Sequence, residues 1–144
     1  MGEYQIRIDC DVLQADGGTR TASITGAYIA LSLAQFWMKK NNILSENFLT
    51  DGISAVSCGI VNGEALLDLE YSEDSHAETD ANFILTHSGN IVEIQATAEK
   101  KSFSQAQLLQ MLDLAKKGCL NLEHIQKKAL KNILIHHEIY NETA

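Results

Sequence analysis

Residues Thr21–Lys40 read as one long helix whose apolar positions do not keep to one side. Ile24, Ala27, Tyr28, Leu31 and Met38 mark one face, while Ala30, Leu33 and Trp37 occupy another. A helix apolar on most sides has to be covered by more than one layer. Lys39 and Lys40 suit the C-terminal end of its dipole, and Asn41-Asn42 supplies a stop. Whatever else the chain forms has to bury this element.

The rest of the 144 residues supplies a single domain's worth of elements. Residues Tyr4–Leu13 alternate, with Ile6, Ile8, Cys10 and Val12 on one parity, which predicts a half-buried strand. Asp16-Gly17-Gly18-Thr19 breaks that pattern ahead of the helix. A polar connector, Asn42–Gly52, leads into Ala55–Val61, then Asn62-Gly63, then Glu64–Leu69. Asn-Gly between apolar runs predicts a hairpin, because a type I′ turn needs positive φ at both central positions. The acidic stretch Glu70–Asp80 precedes a second hairpin, Ala81–Thr86 and Ile91–Ala96, turning at His87-Ser88-Gly89-Asn90. Ser104-Gln105-Ala106-Gln107 has capping-box spacing and opens a helix with Leu108, Met111, Leu112 and Ala115 on one face. Gly118 ends that helix or sits inside it. A last helical segment runs to about His136, and the tail from Glu138 is expected to fray. The order β-α-ββ-ββ-α(α) predicts an α+β fold, with helices on one face of a mixed, mostly antiparallel sheet. Five strands and the C-terminal helices leave the central helix short of cover. The chain therefore reads as incomplete, or as completed by another chain.

Composition narrows the function. At 45% hydrophobic and 21% charged the chain is ordinary globular material. It has no run of 18 apolar residues and its start has no signal-peptide pattern, so a soluble cytoplasmic protein without a membrane partner is expected. Cys10, Cys58 and Cys119 lie far apart, which indicates neither a disulfide framework nor a zinc site. Eleven basic residues against nineteen acidic give a net charge of −8, and the only arginines are Arg7 and Arg20. A broad surface that tracks phosphates is excluded. Nucleic acid, if handled at all, is handled through a few placed groups or through a partner.

Two constellations could carry chemistry. Asp16-Gly17-Gly18-Thr19-Arg20 stands at a helix N-terminus, where glycines let backbone N–H groups converge and the dipole favours an anion. Arg20 adds a planar fork matched to phosphate oxygens, and Thr19 a hydroxyl. The plainer reading is a turn with an N-cap. Asp74 and Asp80 are the second. A straight strand would hold them about 20 Å apart, so they meet only if Ser75–Thr79 curls. Converged, they suit Mg²⁺ or proton transfer; otherwise they belong to a solvated acidic loop, as Glu70, Glu73 and Glu78 are read. His76, His87, His124, His136 and His137 make no metal spacing and read as surface or satisfied histidines. Ser57, Cys58 and Cys119 show no base–orienter pattern for nucleophilic catalysis, and the sequon Asn141-Glu142-Thr143 carries little without a secretory signal.

In order, these segments resemble ribonuclease PH, the phosphorolytic 3′-exoribonuclease family with a ribosomal protein S5 domain 2-like fold. The resemblance rests on Ile8-Asp9-Cys10-Asp11-Val12 and on the run from Gln14 through Gly17-Gly18-Thr19-Arg20 to Ala27. It continues through Ala55-Val56-Ser57, Gly59-Ile60-Val61, Leu67-Asp68-Leu69, Glu73-Asp74-Ser75, Ala77-Glu78, Asp80, Val92-Glu93-Ile94-Gln95 and Thr97-Ala98-Glu99. It implies that Gly18, Thr19 and Arg20 bind inorganic phosphate, the attacking co-substrate. It also implies that Asp74 and Asp80 are the catalytic acidic pair, in a site that uses Mg²⁺. The implied reaction shortens the tRNA 3′ end by one nucleotide and releases a nucleoside diphosphate. On this reading residues 1–45 end the family's first half and 53–137 form its second half. The N-terminal strands, a second phosphate-handling arginine and most of the RNA-binding surface lie outside the chain. A homo-oligomer or a complementing N-terminal half is then the expected partner; the alternative is an inactive remnant or a subunit-binding module of a ring. Ser54 stands where the family has proline, and Ala96 and Lys100 where it has glycine. Strain is expected at Ala96 or Lys100 if either position requires positive φ.

Overall fold

The computed structural model describes residues 4–142, with side chains described through Ile135. Helix α1 (Thr19–Lys40) is followed by strands β1 (Ile53–Val61) and β2 (Glu64–Leu67) and a one-turn helix α2 (Tyr71–Asp74). Strands β3 (Thr79–Thr86) and β4 (Ile91–Ala98) and a long helix α3 (Gln105–Glu142) complete the order. The strands form one antiparallel sheet in the order β2-β1-β3-β4, and the α+β class is as expected. Both hairpins form where the turn residues put them. Asn62 (φ 52°) and Gly63 (φ 81°) supply the paired positive φ of the first turn.

Strand alternation divides the sheet into two faces. Val56, Cys58 and Ile60 of β1 and Ala81, Phe83 and Leu85 of β3 point one way and are buried. Met111, Ala115 and Cys119 of α3, spaced four apart along one stripe, close that face into the core. Ser104 and Gln107 make the reciprocal capping box that starts α3: Gln107 N–H donates to Ser104 Oγ at 3.2 Å, and Ser104 N–H to Gln107 Oε1 at 2.9 Å. Instead of two C-terminal segments there is one helix of 38 residues, about 57 Å long. Gly118 lies inside it for a packing reason. A Cβ there would stand 3.0 Å from Leu67 Cδ1 and 3.1 Å from Val56 Cγ1, so its absence lets α3 settle onto the sheet.

Helix α1 does not join α3 on the core face. Because β2 pairs only with Cys58–Val61, the lower half of β1 has an open backbone edge. The Thr25 hydroxyl fills it, donating to Ala55 O at 3.2 Å and accepting from Ala55 N–H at 3.0 Å. Buried Gln126 of α3 ties the same region together. Its Nε2 donates to Thr25 O (2.9 Å) and Ile53 O (3.1 Å), and its Oε1 pairs with His87 Nε2 (2.9 Å).

The predicted strand over Tyr4–Leu13 is not formed. Residues 4–12 carry no regular structure, and the side chains of Tyr4, Val12 and Leu13 are 54%, 54% and 98% exposed. Alternation makes a strand only where an edge accepts its hydrogen bonds, and among the described residues this segment takes neither edge of the sheet. Helix α1 is as uncovered as its sequence implied: Thr21 is its one buried residue, and Trp37 is 54% exposed. The accessible surface, 9631 Å², exceeds by about 2,300 Å² what a compact chain of 15.9 kDa presents.

Candidate active site

The sheet face opposite the core holds the sequence-predicted groups. Register places Ala55, Ser57 and Gly59 of β1 beside Ile84, Asn82 and Asp80 of β3, and these beside Glu93, Gln95 and Thr97 of β4. Three rows of three result, largely polar, with Asp80 at one end and Glu93 at the other.

The glycine turn sits over the middle row. Gly18 has φ 71°, the left-handed conformation that a side chain disfavours, and a Cβ there would lie 3.2 Å from Ser57 Oγ. Gly17 presses against the segment after β2, where a Cβ would fall 1.9 Å from Leu69 O. No residue other than glycine fits there without moving backbone. Asp16 does not cap α1, which has no side-chain cap. Its Oδ1 instead accepts from Gly17 N–H and from Tyr71 N–H, each at 2.8 Å, fastening the turn to the start of α2. The first N–H groups of α1 keep no intrahelical acceptor, as at any helix start. Beneath them Ser57, 5% exposed, has a hydroxyl with no hydrogen-bond partner. A buried hydroxyl without a partner is costly; Ser57 Oγ, beneath the turn, and Thr79 Oγ1 are such atoms among the described residues. Nothing in the sequence around Ser57 shows that it lies under Gly18.

The acidic stretch curls. Glu70 and Glu73 form a capping box around α2, with Glu70 N–H donating to Glu73 Oε2 at 3.1 Å, so these two carboxylates hold the turn. Glu78 N–H then donates to Ile60 O at 2.7 Å, which brings the chain back into the sheet. Asp74 and Asp80 are thereby drawn into electrostatic range. Burial raises the Asp80 carboxyl above its ordinary value, and the charges of Asp74 and Glu99 raise it further. Lys100 Nζ donates to His76 O at 2.9 Å, bracing the loop between the two acids. The expected strain at Ala96 and Lys100 is absent. Neither has positive φ, and Ala96 pairs with Ala81 as an ordinary strand residue.

Arg20 lies apart from the acids. Its Nη2 is 2.7 Å from Glu93 Oε1, and both side chains are about half exposed. Glu93 is four β4 residues from Thr97, the partner of Asp80, which puts the guanidinium's anchor about 13 Å along the face from Asp80. Two clefts flank the turn. One of about 510 Å³ lies between α1, α3 and β1 and is mainly apolar, with Asp68 among its few polar walls. The other, about 420 Å³, lies between Asp11–Asp16 and the start of α1. Neither includes Asp74, at the end of α2, or Asp80, on the polar sheet face.

Among the described residues no group of three His, Cys, Asp or Glu side chains could hold a metal ion. The Asp74–Asp80 pair, with mutually unfavourable charges, still fits a hard divalent cation, since Mg²⁺ is commonly held by one or two carboxylates plus waters and substrate phosphates. The described histidines are satisfied as expected: His76 Nδ1 meets Ser72 O at 2.8 Å, His124 Nδ1 meets Leu120 O at 2.7 Å, and His87 holds Gln126. The side chains of His136 and His137, and Thr143 of the sequon, lie outside the described residues. All three cysteines are free; burial pushes the Cys58 thiol up to about 12 and raises that of Cys119, so neither is poised as a nucleophile.

Comparison with known proteins defines the class. Residues 1–36 match the model for domain 1 of the 3′ exoribonuclease family, and residues 51–118 match domain 2. The chain belongs to the ribonuclease PH (3′ exoribonuclease) family. It is 57% identical over 130 residues to a ribonuclease PH of Methylorubrum populi and 56% identical to one of Methylocella silvestris, in each case over 90% of this chain and 55% of the relative. The chain thus spans about half the length of the curated relatives it matches. Among solved structures it resembles rice (Oryza sativa) Rrp46, with TM-score 0.65 and 16% identity, over 81% of this chain and 49% of that one, a likeness of fold. No helix among the described residues is long and apolar enough to cross a membrane.

Proposed function

We propose that this chain carries the phosphate-binding turn and acidic pair of a phosphorolytic 3′-to-5′ exoribonuclease, a cytoplasmic tRNA nucleotidyltransferase that trims tRNA 3′ ends. One observation carries the reading: Gly18 opens α1 directly over the buried, unpartnered Ser57 hydroxyl, on the sheet face that also bears Asp80. Orthophosphate fits there, accepting from the first N–H groups of α1 and from the hydroxyls of Thr19 and Ser57. Arg20 supplies the guanidinium that neutralises it. Held so, a phosphate oxygen attacks the phosphorus of the terminal phosphodiester. The bond from that phosphorus to the preceding 3′-oxygen breaks, a nucleoside diphosphate leaves, and the RNA keeps a 3′-hydroxyl. The leaving 3′-oxygen needs its developing charge neutralised, either by a proton from Asp80 as the acid of the pair or by a cation held on the pair in its place. Asp74 and Asp80 would hold Mg²⁺, which supplies charge neutralisation on the transferring phosphoryl group. The protein's own part is positioning and electrostatics.

Residues 1–45 act as the end of a first half and 53–137 as a second half. The surface left open on α1 and Tyr4–Leu13 is covered by a complementing N-terminal half or by another subunit of a ring. The test is phosphate-dependent release of nucleoside diphosphate from a tRNA precursor, by the chain alone and with that half supplied. Release from the combined protein is expected, with a loss of about a hundredfold or more in Arg20→Ala and Asp80→Asn. No release from the combined protein overturns the enzymatic reading and leaves a subunit-binding module. Unchanged release by both variants overturns the site assignment.

A further inference from the structure

We infer that Glu93 is an internal competitor for Arg20, and that the Arg20–Glu93 pair is the phosphate-off state of the site. This rests on the phosphate-binding reading above and goes beyond it. Arg20 is one residue past Thr19 at the start of α1, and its guanidinium could point toward the middle row of the polar face, where Ser57 lies under Gly18. It points instead to the end row, with Nη2 at 2.7 Å from Glu93 Oε1. Two other ion pairs, Lys116–Asp113 and Lys127–Glu123, join neighbours on α3, whereas this one joins groups 73 positions apart. Both side chains are about half exposed, so the pair is open to exchange with a solution anion. A carboxylate and a phosphate oxygen ask the same of a guanidinium, a pair of parallel N–H donors. With Glu93 bound, part of the fork is used, and the guanidinium is held at the end row of the face, away from Gly18 and Ser57. Phosphate therefore binds by drawing Arg20 off Glu93 toward Gly18. Glu93 sets how much phosphate that takes, and it keeps the guanidinium off RNA phosphates in the meantime.

Orthophosphate binding to the whole 144-residue chain, read by titration calorimetry, tests this in Glu93→Gln, Arg20→Ala and the double variant. Glu93→Gln is expected to bind phosphate about three- to tenfold more tightly than the parent. The gain is expected to vanish in the Arg20→Ala background, a coupling that a merely structural role for Glu93 would not produce. Glu93→Asp, which keeps the charge on a shorter arm, is expected to show a smaller gain, and it serves if Glu93→Gln fails to melt cooperatively. Equal or weaker binding by Glu93→Gln, with Arg20→Ala still impaired, overturns the competitor role and leaves the phosphate site standing. Binding that is insensitive to Arg20→Ala, or absent from parent and Glu93 variants alike, overturns both.

Discussion

The two parts of this chain are folded to very different depths. Between Tyr4 and Thr50 one residue, Thr21, is buried, whereas β1 by itself buries seven. The later part makes its own core between α3 and one sheet face. The earlier part is held onto it by polar contacts, Asp16 to Tyr71, Thr25 to Ala55, Gln126 to Thr25 and Arg20 to Glu93, together with half-buried side chains such as Tyr28 against His87. Yet the earlier part brings the glycine turn and the guanidinium. The site is thus built across a boundary between a self-sufficient core and a loosely docked helix. Its integrity depends on what covers that helix more than on the core beneath it.

The largest effect that could break this contrast is in the core. Phe83→Ala is expected to cost about 3–5 kcal/mol in denaturant unfolding, since Phe83 is fully buried. Trp37→Ala, on exposed α1, should cost under about 1 kcal/mol in the isolated chain. Equal costs would mean that α1 is as deeply built in as the sheet. Gly17→Ala sharpens the contrast from the other side. With a Cβ directed at Leu69 O, the turn has to lift from the segment it rests on, and nucleoside diphosphate release by the complemented protein should fall about a hundredfold. The core, monitored by the same unfolding curve, should stay intact; a collapse of both would contradict the division. The smallest effect concerns pH. Because the Asp80 carboxyl is raised in the folded protein, the native state holds a proton that the unfolded chain has released. Stability should therefore decline as pH climbs from the ordinary carboxylate value through the raised one. Asp80→Asn should abolish that decline and raise the neutral-pH melting temperature by about 2 °C, a small shift because the group is partly solvated. A lowered melting temperature would show that the ionised carboxylate is held by favourable contacts instead.

Local chemistry was readable; long-range pairing was not. Asn62-Gly63 fixed one hairpin and Ser104–Gln107 one helix start, because each motif satisfies its own backbone. The segment Tyr4–Leu13 has a strand's alternation but depends on a distant edge, which a pattern cannot supply. Gly118 left open whether the helix ended or continued, and its contact with Leu67 and Val56 shows that it serves close packing inside α3. At the site, the resemblance picked out Gly18, Thr19, Arg20, Asp74 and Asp80, and the curl that brings Asp74 toward Asp80 was anticipated as a condition. Ser57 and Glu93 were invisible as partners of the turn. Their roles come from a register that links residues dozens of positions away.

Where orthophosphate touches the chain is the most direct test of the glycine turn's role. Amide resonances followed during a phosphate titration should move at Gly17–Thr21 and at Ser57, while those of the α3-covered core stay still. Shifts confined to other surfaces, or none at the turn as phosphate rises, would contradict it.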